Sequence, residues 1–208
     1  TLDKLGLREE TLIVFTADHG EMLGDFDKVG KCYPYDGSSR VPFIASAPSL
    51  IREGTIQSVP TEIIDVVATF LEIGGVDDLQ AHIPESPSKS LIPIWKEVGG
   101  GREFAFIECG YQFFEPFMSL VNEEWKYVYY SFTGKELLFD KKSNPQETNN
   151  LVSEKPELVA EFRHKLLQRI GATPPPPPPF WIKEKVTGTK GSGKHHGPGN
   201  KNVGLNNF

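Results

Sequence analysis

Cysteine is scarce in this chain: its 208 residues include two, Cys32 and Cys109, too few for a disulfide framework. Two thiols so far apart in sequence read as small buried hydrophobes and leave the redox compartment open. Long apolar runs are lacking as well. No stretch of about 18 apolar residues occurs, which excludes a membrane-spanning helix. The opening TLDKLGLREETLIVF has no initiator Met, no basic leader and no signal-type apolar core, so the chain reads as cut from something longer. Positive charge is in deficit too, with 22 Lys and Arg against 28 Asp and Glu and a formal net charge of −6. That argues against a nucleic-acid binder relying on bulk positive charge. What is present is enough apolar material, 38% of the residues, to bury a core of one domain or one and a half.

The charge is unevenly placed. Residues 183–208 carry five lysines against Glu184 alone, a net +4, which leaves −10 for the rest. The two parts meet at Gly171-Ala172-Thr173 and six prolines, residues 174–179, which remove backbone donors and favour an extended polyproline II rod. Beyond them the chain is rich in Gly, Lys and Asn and poor in apolar residues, so it cannot offset the entropy of ordering. A disordered spacer or ragged end is expected there, dispensable for folding. A proline-motif ligand and a metal clip at His195-His196 are the sharper alternatives.

Before the prolines, element types alternate. Residues 11–15, TLIVF, are a short β-branched run ending in Thr16-Ala17-Asp18-His19-Gly20, the pattern of a buried strand and a loop. Residues 41–45, VPFIA, read as a second strand. In residues 61–73, Ile63, Val66, Val67, Phe70 and Leu71 share one helical stripe, with Thr61 near the N-cap and Gly74-Gly75 as a stop; an amphipathic helix is predicted. Strand, loop and helix in that order mean α/β architecture. Four short strand-like runs then follow at close spacing, 104–108, 118–121, 125–130 and 136–140, with turns at Asn122-Glu-Glu and Thr133-Gly-Lys, the signature of an antiparallel meander. A last helix over 156–170 sets Leu158, Val159, Phe162, Leu166 and Leu167 at helical spacing to cover that sheet.

The chemistry-bearing side chains crowd into residues 16–25, TADHGEMLGD, followed by Lys28, Lys31 and Arg40. The segment begins just past the carboxyl end of a predicted strand, where open α/β sheets bind ligands. Asp18 offers a hard oxygen donor suited to Ca²⁺ or Mg²⁺, and an isolated Asp-His-Gly would otherwise read as an ordinary turn.

The larger context is more specific. Residues 11–42 resemble the sulfatase branch of the alkaline-phosphatase-like superfamily, in which a strand ends in Ser/Thr-Asp-His/Asn-Gly and a Gly/Ala-Lys pair and an Arg/His-Val-Pro follow. Here these stand as Thr16-Ala17-Asp18-His19-Gly20, Gly30-Lys31 and Arg40-Val41-Pro42. Trp125-Lys126-Tyr127, Glu136-Leu-Leu-Phe-Asp140 and Asn144-Pro145-Gln146-Glu147-Thr148-Asn149-Asn150-Leu151 resemble the family's C-terminal pattern. The resemblance spans residues 1–170 and implies an α/β fold: the C-terminal part of an alkaline-phosphatase-like sheet-and-helix domain over residues 1–98 and a small antiparallel sheet with a C-terminal helix over 99–170, ahead of the proline-rich, basic tail over 171–208. It implies a sulfuric ester hydrolase in which Asp18 is a metal ligand, His19 assists at the metal or the sulfate, and Lys31 contacts the sulfate undergoing transfer, with Arg40 in a structural ion pair. The cofactors implied are one divalent cation, Ca²⁺ by family habit, and a formylglycine nucleophile in a missing N-terminal half. The implied partner is a sulfate ester, by default a sulfated glycan, in a periplasmic, secreted or lysosome-like compartment; oligomeric state stays open.

Two departures stand out. Gly24-Asp25-Phe26 replaces a segment where the family often has His. The Cys/Ser-x-Pro-Ser/Ala-x-Arg signature that holds the nucleophile is absent, and Cys32-Tyr33-Pro34 mimics it without the arginine. A phosphodiesterase or phosphonate hydrolase of the same superfamily and a non-catalytic module are the alternatives.

Overall fold

The computed structural model describes residues 1–76, 78–110 and 115–171. The proline run, the basic tail and His195-His196 lie outside the described residues.

The front of the chain starts with a single helical turn, α1 (Leu2–Leu5), and strand β1 (Ile13–Thr16). A loop with a 3₁₀ turn at Asp25–Asp27 leads to the short helix α2 (Asp36–Ser39) and strand β2 (Phe43–Ser46). β1 and β2 pair antiparallel from Ile13 opposite Ser46 to Thr16 opposite Phe43 and form a two-stranded sheet. The buried strand predicted for residues 11–15 is corrected on this point: Phe15 is 60% exposed, and Ile13 and Ile44 are also open to solvent. The β-branched run makes a strand, as its local preference dictates, but among the described residues the cover over Ile13 and Phe15 is incomplete.

Helix α3 (Asp65–Ile73) carries a second correction. It starts four residues later than Thr61, because the Asp65 carboxylate accepts the Glu62 backbone N–H at 2.9 Å and fixes the preceding residues as a turn. Its buried side is Asp65, Ala68 and Thr69, whereas Ile63, Val67 and Phe70 of the predicted stripe are exposed. Polar bonds explain the choice of face. Arg102 forms an ion pair with Asp65 and lies 3.5 Å from Glu62, the Ser88 hydroxyl donates to the Ile64 carbonyl at 2.6 Å, and the Leu91 N–H donates to the Thr69 hydroxyl at 2.9 Å. Buried polar groups must be paired, and these pairs turn the polar side of α3 inward. Two more single turns, α4 (Leu79–His82) and α5 (Ile92–Trp95), complete the front.

The back of the chain is a four-stranded antiparallel meander, as the run spacing predicts: β3 (Ala105–Cys109), β4 (Phe117–Val121), β5 (Trp125–Tyr130) and β6 (Glu136–Asp140), in that order. Strand side chains alternate between faces, and both faces are covered. On one, Met118, Leu120, Tyr127 and Leu138 pack against Val159, Phe162 and Leu166 of helix α6 (Pro156–Arg169). Leu167, expected in that apolar stripe, is exposed. On the other face Phe117, Val128, Leu137 and Phe139 form a second cluster, against which Tyr35 packs. The segment that links the front loop to α2 is therefore part of the cover of the back sheet.

Candidate active site

β1 delivers the chain into the turn at residues 17–20. The Asp18 carboxylate accepts the backbone N–H of the next residue, His19, at 3.0 Å, a local side-chain-to-backbone bond open to Asp in a loop, and its side chain is 86% exposed. His19 Nδ1 lies 2.8 Å from the Gly20 carbonyl oxygen. A carbonyl only accepts, so Nδ1 carries the proton and Nε2 holds the lone pair. Nε2 in turn faces Lys31 Nζ at 3.0 Å and accepts from the ammonium, with an Asp18 carboxylate oxygen 3.6 Å away. The structure thus brings together Asp18, His19 and Lys31, the three residues singled out in the sequence, although 12 positions separate the histidine from the lysine.

The turn is anchored by close backbone approach. A Cβ on Gly20 would sit 2.1 Å from the Gly37 carbonyl oxygen, so no other residue fits there. The Gly20 N–H donates to the Ser38 carbonyl at 2.8 Å. Between the turn and α2 the loop folds on itself: the Met22 N–H donates to the Gly30 carbonyl at 3.0 Å, and the Gly30 N–H donates to Glu21. Leu23, Phe26, Asp27 and Cys32 adopt left-handed backbone conformations. Non-glycine residues are strained there and persist only where the surroundings over-determine them.

α2 rests on the back sheet through buried charge. Lys126 of β5 is fully buried. Its ammonium donates to the Pro34 carbonyl at 2.9 Å and pairs with Asp36 and Glu147 at 2.5 Å each. Lys141 pairs with Asp36 and, at 3.3 Å, with Glu147, whose second oxygen accepts the Asp36 N–H at 2.8 Å. Burial pushes the Asp36 carboxyl up, but the Lys126 and Lys141 ammoniums override it and hold the group down at about 2. Arg40 lies 3.6 Å from the same carboxylate, the ion pair expected of it. Asp36, Lys141 and the roles of Lys126 and Glu147 were missed at the level of sequence. The available signal was a lysine on the inward side of an apolar strand, a position that demands a buried anion. Beside the network opens a cleft of about 390 Å³, lined among others by Phe26, Tyr35, Asp36, Pro145 and Glu147.

Cys32 is not poised as a nucleophile. Burial pushes its thiol up and a hydrogen bond with Cys109 adds to the rise, the opposite of an activated thiolate. The two thiols are neighbours and not the separate ones expected from their spacing.

As a metal centre the residues fit in part. Asp18 is an exposed hard donor, whereas the His19 Nε2 lone pair is taken by Lys31. Among the described residues no three His, Cys, Asp or Glu converge, so the six to eight oxygens that a Ca²⁺ ion takes are not assembled by these residues alone. No helix among them is long and apolar enough to cross a membrane.

Comparison with known proteins agrees with this geometry. The sulfatase family model matches residues 1–76, which contain the whole turn and loop. Choline-sulfatase of Rhizobium meliloti (strain 1021) is 31% identical over 151 residues, covering 73% of this chain and 29% of that protein. A solved protein in complex with its substrate D-glucosamine-2-N,6-O-disulfate superposes with a TM-score of 0.73 at 22% identity, over 84% of this chain and 37% of its own. The phosphonate monoester hydrolase of Agrobacterium radiobacter gives 0.67 at 25% identity, over 80% and 36%. The chain spans about a third of the length of these relatives. Such a family implies a divalent metal and a formylglycine in general. With the strand-turn-lysine geometry, the family match over it and the sulfatase relatives all in agreement, the chain belongs to the sulfatase family.

Proposed function

We propose that this chain supplies the sulfate-facing side of a sulfuric ester hydrolase. The observation that carries the reading is the contact of Lys31 Nζ with His19 Nε2 at 3.0 Å beside the exposed Asp18 carboxylate. A sulfuryl group passing between oxygens develops negative charge on its peripheral oxygens, and a fixed ammonium next to it stabilises that charge more than the ground state. Lys31 fills this role, reaching the anion from a loop held at both ends. His19, with Nδ1–H pinned on the Gly20 carbonyl, presents Nε2 to Lys31 or to a leaving-group oxygen and can hold a proton there. Asp18 would give one carboxylate to a divalent cation, Ca²⁺ by its hard oxygen donor, with the other ligands supplied from outside these residues. Such a cation, when bound, would neutralise sulfuryl charge, and a formylglycine from outside these residues would supply the hydroxyl nucleophile. The substrate class is a sulfate ester, with a sulfated sugar favoured by the likeness to a protein complexed with D-glucosamine-2-N,6-O-disulfate.

In the full-length polypeptide containing this chain, Lys31→Ala is expected to fold normally and lose about a hundredfold in kcat on an aryl sulfate. Asp18→Ala should need far more Ca²⁺ for any turnover. Unchanged turnover in both variants would remove the site from catalysis. The phosphonate hydrolase likeness supports a second reading, in which the same polypeptide prefers a phosphonate monoester; competition between the two esters decides between them.

A further inference from the structure

We infer that Lys126, Lys141 and Glu147 of the back region, with Asp36, are positioning residues for the Asp18–His19–Lys31 turn. A continuous chain of contacts links them. Lys126 Nζ holds the Pro34 carbonyl and the Asp36 carboxylate, and Glu147 holds the Asp36 N–H. These bonds fix the start of α2, and α2 holds the turn through the 2.8 Å bond from the Gly20 N–H to the Ser38 carbonyl and the Gly20–Gly37 packing. The Gly20 carbonyl then orients the His19 ring, whose Nε2 accepts from Lys31. Lys31 itself lies three positions before Pro34, so both ends of the site are tied to the same anchor.

Lys126 and Glu147 are the most deeply buried of the four, at 1% and 2% side-chain exposure, so removing either charge alone leaves its partner's charge buried with less compensation. Glu147 sits at a φ of 57°, a left-handed conformation unfavourable for glutamate. Strain kept at a residue whose two carboxylate oxygens serve α2 and Lys126 separately is the mark of an over-determined support. Exact placement matters at such a site, since small displacements of a catalytic group are costly. That these residues serve catalysis rests on the functional reading above; that they hold the turn does not.

The test therefore reads geometry and turnover separately. The ¹H–¹³C ring signal of His19, assigned with His19→Gln, is followed alongside the melting temperature of the chain. Lys126→Met should lower the melting temperature and shift or broaden the His19 signal. The double variant Lys126→Met/Glu147→Gln leaves Asp36 paired with Lys141; it should recover most of the melting temperature while the His19 signal stays displaced. Phe162→Leu, a core change on the opposite face of the sheet, should lower melting with the His19 signal unmoved. In the full-length polypeptide the double variant should lose tenfold or more in kcat with less than a threefold change in KM. A native His19 signal in the folded double variant overturns the proposal, as does failure of that variant to fold, which would make the network structural only. Absence of sulfatase turnover in the unmodified full-length protein, with the His19 displacement present, would instead remove the functional reading and leave the support intact.

Discussion

The front and back of this molecule have similar apolar runs and opposite fates. In the back, β4 to β6 are apolar and buried on both faces, under α6 on one side and the segment around Tyr35 on the other. In the front, β1 and α3 are no less apolar, yet Phe15 and Phe70 are 60% and 52% exposed. Hydropathy alone therefore does not tell a self-sufficient core from one face of a larger assembly; the presence of a covering element does. The candidate site lies on the front, but its supports are rooted in the back.

The largest expected effect tests the back. Phe162 packs its ring edge-on against Phe104, with centroids 5.2 Å apart, and also against Tyr127. Phe162→Ala should cost about 3–5 kcal/mol, as truncation of a buried aromatic does, measured by urea denaturation of the chain. A loss below about 1 kcal/mol would mean that the sheet and α6 are no more closed than the front.

Next in size is the acid response of the junction. The Asp36 carboxyl titrates at about 2 in the folded chain against an ordinary value of 3.8. A depressed folded pKa gives stability that is present above the ordinary value and lost as pH falls through the folded one. Asp36→Asn should therefore be less stable than the parent at neutral pH by on the order of 2 kcal/mol. That gap should close between about pH 4 and pH 2, read from denaturation midpoints across the range. A gap that stays constant with pH would place the charge pairing of Asp36 outside the energetics of the junction.

The same contrast governs how much was legible in the sequence. β5 and β6 run from Trp125 to Tyr130 and from Glu136 to Asp140, end for end as the strand-like runs predict, because run length, turn residues and burial all agree there. α3 was legible as a helix but not in its start or its inward face: Asp65, Thr69 and Ser88 accept the backbone N–H groups of Lys89, Leu91 and Ala68, each 20 or more residues away, a tertiary preference that outweighs an amphipathic stripe. For the site, motif spacing nominated Asp18, His19 and Lys31, but the tautomer and the Lys31 contact depend on a loop closure that no spacing encodes. The supports at Lys126, Lys141 and Glu147 lie more than 80 residues away from Asp36 in sequence. The C-terminal motifs contain Lys126 and Glu147 without saying what they hold, and the rarity of an inward-facing lysine is the physical hint to their role.

The smallest expected effect is the sharpest test of the contrast. Phe15 and Phe70 project apolar rings from β1 and α3 with little contact to lose, so Phe15→Ser and Phe70→Ser in the chain by itself should each change stability by no more than about 0.5 kcal/mol. Both should reduce self-association at high protein concentration, since contiguous exposed apolar surface is adhesive; sedimentation velocity and urea denaturation on the same preparations measure the two quantities. The relatives are about three times as long as this chain; in a polypeptide of that length carrying this chain, the same substitutions should cost about 2–4 kcal/mol if further polypeptide covers β1 and α3, the range for large-to-small changes in a core. Equal costs in the two contexts would show that the front faces solvent in both, and that its apolar runs serve no larger core.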